Sequence, residues 1–574
     1  MPTKLSRYAE GIMEAAWLAA LILVPVFFDI YSSRIFEPDK LTLMRSLALL
    51  VLAAWLVKII DEGGLHRENG VSWFKALWQT PLLPQVVLLA VVYGVASLFS
   101  VTPRVSFWGS YQRLQGTYTT LSYLVLFAAV VGNMRRQAQV ERMITVVILA
   151  SLPVGLYGIL QRFEIDPVPW GGNVVKRIAS NMGNSIFVSA YLIMAFPLVV
   201  GRLVDSFTAI LKEERNLAAH VARATTYVFT AAIQLIAIYL SGSRGPLLGL
   251  LAGGFFFFVV LSLYWNKRWL TFTVVALAGA GAAFLLLLNI PNGPLESIRE
   301  APWVGRFGQM LNTDQRTSRV RILIWQGASQ LVAPHAPLSF PDGSTDRWNA
   351  IRPIIGYGPE SMYVAYNPFY PPELGGIESR NASPDRSHNE TWDALVITGF
   401  LGLIVYLALF TSLFYYGLRW LGLVSTGRQR ALFLTLVLGG GLASAAGFVY
   451  YSGIEFFGVG LPFGMMLGLI GYLPLIALFS KYEPPQTEGG RARALVLMML
   501  MAAIVGHFVE IHFGIAIAAT RTQFWAFSGA LVAVGFIMTQ KGVYGTLSQP
   551  ALLDDFPGVV SMPTGEGETP EDKK

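Results

Sequence analysis

Long apolar runs separated by short polar stretches recur along the whole chain. Runs of roughly 18 to 22 residues, enough to cross about 30 Å of hydrocarbon as helix, begin near Ile12, Leu41, Leu82, Thr119, Met143, Asn184, Ala222, Gly245, Trp269, His388, Ala431, Gly458, Ala494 and Gln523. The pattern predicts an all-α polytopic integral membrane protein with about fourteen transmembrane helices. Spans 1 to 9 fall within residues 1–290, a large loop occupies 291–387, spans 10 to 14 fall within 388–545, and a tail covers 546–574. The tail is rich in Pro, Gly and Glu and reads as disordered. The first span reads as an uncleaved anchor, because no small-residue cleavage site follows it and Arg34 to Lys40 lead straight into the second.

Composition narrows the class further. With 54% hydrophobic and 13% charged residues and a mean hydropathy of +0.53, a soluble globule is excluded. The net charge of +7 does not imply nucleic acid, since the basic residues are divided among short loops between apolar runs. A cytoplasmic N-terminus places the basic stretches at 58–75, 134–142, 212–223, 266–268, 419–430 and 480–493 inside, as the positive-inside rule requires. Both termini are then expected in the cytoplasm and the 291–387 loop outside. The absence of cysteine excludes disulfides, thiolate metal sites and cysteine nucleophiles. No GxxxxGK[ST], GxGxxG or HExxH motif occurs, so neither a nucleotide-driven pump nor a zinc site is indicated, and no cofactor is expected.

A loop of this length is usually functional. Its segment 316–332 spaces Val320, Ile322, Leu323, Trp325, Ala328 and Leu331 as an amphipathic helix lying near the membrane interface. Segment 353–372 is rich in Gly, Tyr and Pro, which suits sugar rings or lipid headgroups but equally a packed loop with interfacial tyrosines. Nine arginines and no lysine fall between Pro291 and Ser387. Arginine presents a permanently charged planar fork that grips phosphate through two hydrogen bonds, so a phosphate or pyrophosphate site is one reading. Pairing with Glu300, Asp314, Asp342, Asp346, Glu360, Glu373, Glu378 and Asp385 is the other. Two further arginines fall on the same side: Arg244, in the tight break "SGSRGP", and Arg177, ahead of an Asn-Gly-Asn break.

Four stretches in order, "RIASNMGNSIFVSAYLIMAFPL" (177–198), "YLSGSRGPLLGLLAG" (239–253), "SRVRILIWQGASQLVAP" with "IIGYGPESM" (318–362), and "SHNETWDALVITGFLGLIVYLAL" (387–409), resemble the O-antigen ligase family. That group includes bacterial lipid-linked glycan ligases, Wzy-type polymerases and O-oligosaccharyltransferases. The resemblance covers roughly 177–410. It departs from the family where the usual "GNPN" reads "GNSI", which keeps Asn184 alone, and in having about fourteen spans where many members have about twelve.

The resemblance implies a GT-C-like, metal-independent, inverting transferase in the bacterial cytoplasmic membrane. Its donor would be a glycan on undecaprenyl pyrophosphate, and its acceptor a lipid, glycan or protein hydroxyl. Arg177, Arg244 and Arg321 match the family arginines by local motif and would hold the pyrophosphate. His388 would be the general base, at a helix N-terminus whose dipole disfavours protonation; a histidine that merely caps its helix is the alternative. Asn184, Arg319, Arg386, Asn389, Glu390 and Asp393 are expected to support them. A flippase or other transporter for a lipid-linked sugar would share the span count, and a membrane scaffold is a third class. His66, His220 and His335 read as solvated. His507, Glu510 and His512 form an intramembrane group, a default functional candidate, but their i, i+3, i+5 spacing puts only the first two on one helix face, a poor metal set.

Overall fold

The computed structural model describes residues 3–64, 73–166, 168, 173–212, 216–299, 301, 307–308, 316–378, 382–480 and 487–540. The tail at 546–574, His66, Glu300 and Asp314 lie outside them. Among the described residues the chain is helical, apart from an isolated antiparallel bridge between Ser339 and Thr345. Fifteen helices carry the architecture. They are α1 Lys4–Val26, α2 Glu37–Asp61, α3 Leu83–Leu98, α4 Thr117–Asn133, α5 Gln137–Arg162, α6 Ser185–Leu211, α7 Leu217–Ser241, α8 Arg244–Tyr264, α9 Arg268–Leu288, α10 Arg316–Val332, α11 Glu390–Trp420, α12 Gly427–Ser452, α13 Phe457–Phe479, α14 Glu488–Glu510 and α15 Ala518–Val532. Among the described residues eleven helices are long and apolar enough to cross a membrane, and α3 and α4 are apolar but shorter. Helix α15 runs on through a π turn, Ala533–Ile537, to Gln540. The protein is a polytopic, all-helical membrane protein.

Helix α14 is the axis of the bundle. Leu497 to Val505 are buried without a break, the mark of a helix that is apolar all round because protein surrounds it. Its approach to α8 depends on glycine: a Cβ on Gly249 or Gly253 would collide with the carbonyl oxygen of Gly506 or Ala502. Small residues at four-residue intervals let helix backbones touch, which is how membrane helices gain packing where no water is left to expel. At the opposite extreme, α9 buries only 6% of its apolar window and exposes Leu277, Leu286 and Leu287, as a lipid-facing helix does.

Helix direction alternates along the chain, so the described residues of every second connection, among them 27–36, 99–116, 173–184, 242–243, 316–378, 382–389, 453–456 and 511–517, gather at one end of the bundle. Hydrogen bonds stitch them together. The Ala518 N–H donates to Glu37 Oε2 (3.0 Å), Arg352 Nη1 to Phe99 O (2.6 Å), and the Glu390 N–H to Ile511 O (3.1 Å).

The long loop folds as a cap on this end with a core of its own. Leu323, Trp325, Ala328 and Leu331 of α10 pack with Tyr357, Tyr366 and Leu374 against Trp392 and Leu395 of α11. A buried pair, Arg352 with Asp346 (2.7 Å), locks its turns.

Helix α11 corrects one expectation. The sequence pattern predicts an unbroken span from His388, but the helix begins at Glu390 and breaks at Gly399, whose φ of 65° and ψ of −166° are non-helical. The break frees two carbonyls, and the cap supplies their donors: Tyr357 N–H to Val396 O (2.8 Å) and Gly358 N–H to Ile397 O (2.9 Å). Backbone groups released inside a membrane protein must be satisfied from within. Only glycine fits here, because a Cβ at 399 would strike the backbone of Ile354 and Ile355.

Candidate functional site

The site assembles around the entry to α11. Asn389 caps the helix: its Oδ1 accepts the Trp392 N–H (3.1 Å), while its Nδ2 donates to Gly458 O (2.8 Å) and His512 O (3.1 Å). On the other side of His388, Ser387 is held by Asp393, and its carbonyl accepts Trp325 Nε1–H from α10 (2.9 Å). Pinned at both neighbours, His388 adopts a left-handed backbone with φ 58°. That conformation costs a non-glycine residue about 1 kcal/mol or more. Its half-buried imidazole makes no hydrogen bond among the described residues.

The surroundings of that ring are cationic. Burial first, then the charges of Arg321 and Arg113, push the His388 pKa down to about 4; Asp385 opposes them and Arg386 adds a little more. The imidazole is therefore neutral across the physiological range. Desolvation and guanidinium charge thus act in the same direction as the expected helix dipole.

Arg321 lies one turn before Trp325 on α10, so the Trp325 to Ser387 bond also fixes its distance from His388. Half-buried, it has no hydrogen bond or ion pair among the described residues. Burial lowers its pKa, Glu510 raises it, and the like charges of Arg244 and Arg177 lower it again. The structure thus places Arg177, Arg244 and Arg321 within electrostatic reach of one another, and His388 within reach of Arg321. Arg177 donates through Nε to Ser241 O (2.9 Å) and through Nη2 to Ser243 Oγ (3.1 Å), which ties it to the turn that launches α8. Arg244 is the first residue of α8 and is half-buried.

The remaining sequence candidates serve as framework. Asn184 caps α6, accepting the Ile186 N–H (3.0 Å). Arg319 pairs with Glu373 on the outside of the cap. Arg386 is buried, faces Asp393 Oδ2 at 3.4 Å and donates to Gln115 Oε1. Glu390 faces Arg521 of α15 at 3.5 Å. His335, read as solvated, bonds the Tyr357 hydroxyl through Nε2 (2.7 Å).

His507, Glu510 and His512 are all buried at the end of α14. His507 Nδ1 lies 3.9 Å from Glu510 Oε2, whereas His512 turns away, its Nδ1 bonded to Phe508 O (2.6 Å). No group of three or more potential metal-ligating side chains forms among the described residues.

Arg113 and Asp385 also belong to the site, and the sequence pattern does not single them out. Arg113 Nε donates to Asp385 Oδ2 (2.6 Å) and Nη2 to Oδ1 (3.2 Å). Burial works against ionisation of Asp385, but this bond and charge overcome it and hold its pKa below the usual carboxylate range. The available signal is the short segment between Gly109 and Gly116. Each of these glycines lies so close to backbone that a Cβ would collide, so the segment is a tight hairpin that can present an arginine at a fixed place. Its amides at Ser110 and Gln115 are held by the Glu360 carboxylate.

Chemically, the end of the bundle offers several fixed cations for an anion, and a neutral imidazole beside them for a proton. No family model matches the chain, and no curated protein matches it.

Proposed function

We propose that the protein transfers a glycan from an undecaprenyl-pyrophosphate-linked donor to an acceptor hydroxyl at the outer face of the bacterial cytoplasmic membrane. In this reading about fourteen helices span the membrane in a GT-C-like arrangement, both termini are cytoplasmic, and the capped end of the bundle is external. The observation that carries it is the gathering of Arg177 and Arg244 around Arg321, which in turn acts on a neutral His388. The motif resemblance to O-antigen ligases supplies the substrate class.

The acceptor oxygen attacks the anomeric carbon of the donor sugar, and the bond from that carbon to the pyrophosphate oxygen breaks with inversion. The acceptor proton passes to a ring nitrogen of His388 as the new glycosidic bond forms. Undecaprenyl pyrophosphate leaves with its negative charge met by guanidinium groups that are already in place, so little reorganisation is needed as charge develops. Because the donor is already activated, no nucleotide is consumed.

A flippase would carry its charged residues near the midplane of interrupted helices. Here they collect at one end of the bundle, which favours the transferase. Purified protein given a defined lipid-linked donor and several acceptors is expected to yield the glycosylated acceptor and undecaprenyl pyrophosphate in equal amounts. Donor translocation across vesicles with no transfer to any acceptor would overturn the reading.

A further inference from the structure

Glu360, in the cap, has a left-handed backbone with φ 54°, a conformation uncommon outside glycine, asparagine and aspartate. Such a residue persists where its surroundings over-determine it, and here they fix both the turn and the side chain. Ser106 Oγ donates to Pro359 O (2.7 Å) and Ser100 Oγ to Tyr357 O (2.9 Å), which seats the turn on the segment after α3. The buried side chain then reaches the 109–116 hairpin. Each of its oxygens accepts one backbone N–H, Oε2 that of Ser110 (2.6 Å) and Oε1 that of Gln115.

The hairpin in turn grips the loop before His388 at two adjacent positions. Arg113 holds Asp385 through both carboxylate oxygens, and Gln115 Oε1 accepts an N–H of Arg386. Gln115 therefore meets Glu360 through its backbone and Arg386 through its side chain. From the bundle side, Arg45 of α2 donates through Nη2 to Trp108 O (2.7 Å) and Leu114 O (2.6 Å). The amides of the hairpin are held by the cap and its carbonyls by the bundle. Each link from Glu360 to Asp385 and Arg386 is a hydrogen bond.

Resting on the glycan-transfer reading above, we infer that Glu360 is a positioning residue for His388. It sets the hairpin, and through Arg113 and Gln115 the hairpin sets the Asp385–Arg386 segment that leads into the imidazole. Arg177, Arg244 and Arg321 are on other segments, so loosening the hairpin displaces the base and leaves the pyrophosphate site in place. A small displacement of a reacting group is costly in rate.

The test is the pH dependence of kcat/KM for glycan transfer by the purified full chain, with equilibrium binding of undecaprenyl pyrophosphate and thermal stability measured beside it. The charged groups that act on His388 are Arg321 from α10, Arg113 from the hairpin, and Asp385 and Arg386 from its own loop. Glu360→Gln has one acceptor oxygen where two are needed and turns an N–H toward a hairpin amide, so one end of the hairpin is released. Arg45 keeps its hold, so kcat should fall only roughly 10-fold, with binding of the probe close to wild type. As Arg113 loosens from His388 and Asp385, the acid limb near pH 4 should move up, on the order of one unit. A substitution that merely weakens the fold lowers the amount of active protein and leaves the limb of the remainder where it was. In an Arg113→Gln background, Glu360→Gln should move the limb little further, because the two act through one path. Glu360→Asp keeps both oxygens but draws them back by one methylene; its limb should move by less, and it carries the test should the Gln variant not fold. An unmoved limb in the folded variants, or fully additive shifts in the double variant, overturns the proposal. Wild-type protein that transfers no glycan removes instead the glycan-transfer reading, and this inference with it.

Discussion

The Asp393 carboxylate accepts both the backbone N–H and the hydroxyl of Ser387 at the same oxygen, Oδ1, each at 2.7 Å. Asp393 is on the first turn of α11 and Ser387 is in the loop before it, so the pair closes a clasp around His388. Opening the clasp with Asp393→Ala is expected to lower kcat for glycan transfer about 10²-fold, the scale on which a small displacement of a reacting group acts. Undecaprenyl pyrophosphate binding should change little. Asp393→Asn retains an acceptor oxygen and loses only the charge facing Arg386, so its loss should be smaller. Full activity in Asp393→Ala would show that the clasp does not position the imidazole.

The clasp also shows what the sequence reveals and where it stops. Apolar run length locates the helices because hydrocarbon thickness and helical rise fix it, and the apolar spacing of 316–332 locates α10 at the same bounds. The run through 390–420 gives no hint of the break at Gly399, since glycine is common within membrane helices and the reason for the break lies 45 positions away, in the backbone of Ile354. Arg321 and His388 are visible through their motifs. Arg113 is not, because its relation to Asp385 spans 272 positions and only the folded bundle brings the two together. The same holds for arginine roles: a loop that has nine arginines does not say that Arg352 is spent on Asp346 while Arg321 is not.

The pKa of His388, pushed down to about 4, sets a pH dependence of definite sign. A general base must be unprotonated, so kcat/KM, which reports the free enzyme, should be level near neutrality and fall as pH drops through about 4. A bound pyrophosphate offsets the arginine charge, so the limb seen in kcat should lie at higher pH than the limb in kcat/KM. Arg113→Gln removes one depressing cation and releases the Asp385 carboxylate; both effects favour the imidazolium, and the kcat/KM limb should move upward. A limb that stays put or moves down in that variant would disconnect His388 from the titration.

Arg319 and Arg321 are two residues apart on α10 but meet different surroundings. Arg319 pairs with Glu373 where both are exposed, an arrangement that solvent screens and that contributes little. Arg319→Gln is therefore expected to transfer glycan at close to the wild-type rate. Arg321→Lys keeps the charge and loses the planar fork, so both donor binding and kcat/KM should drop, on the order of 10-fold or more for each lost charge-assisted hydrogen bond to phosphate. Equal effects of the two substitutions would reduce the arginine argument to general cation attraction.

The orientation of the bundle can be read by labelling, because the native chain has no cysteine. Arg347 in the cap and Arg428 at the head of α12 are both exposed and at opposite ends of the molecule. A thiol reagent that cannot cross the cytoplasmic membrane should label Arg347→Cys in intact cells and Arg428→Cys only after permeabilisation. The reverse pattern would put the arginines and His388 in the cytoplasm, where a donor presented on the outer face could not reach them.

His388 itself calls for a substitution that separates chemistry from backbone. Its left-handed φ of 58° is strained for alanine, so His388→Ala confounds loss of the imidazole with distortion of the loop. Asparagine tolerates that conformation better than most residues, and its amide cannot act as a base. His388→Asn is thus expected to lower turnover by about 10² to 10⁴, the usual share of positioned acid/base catalysis, with thermal stability and undecaprenyl pyrophosphate binding close to wild type. Binding should survive because a histidine with a pKa pushed down to about 4 adds no positive charge to the empty site at neutral pH. If His388→Asn instead weakened binding while turnover at saturating donor stayed the same, the imidazole would be a phosphate ligand, and the proton of the acceptor hydroxyl would need a different destination.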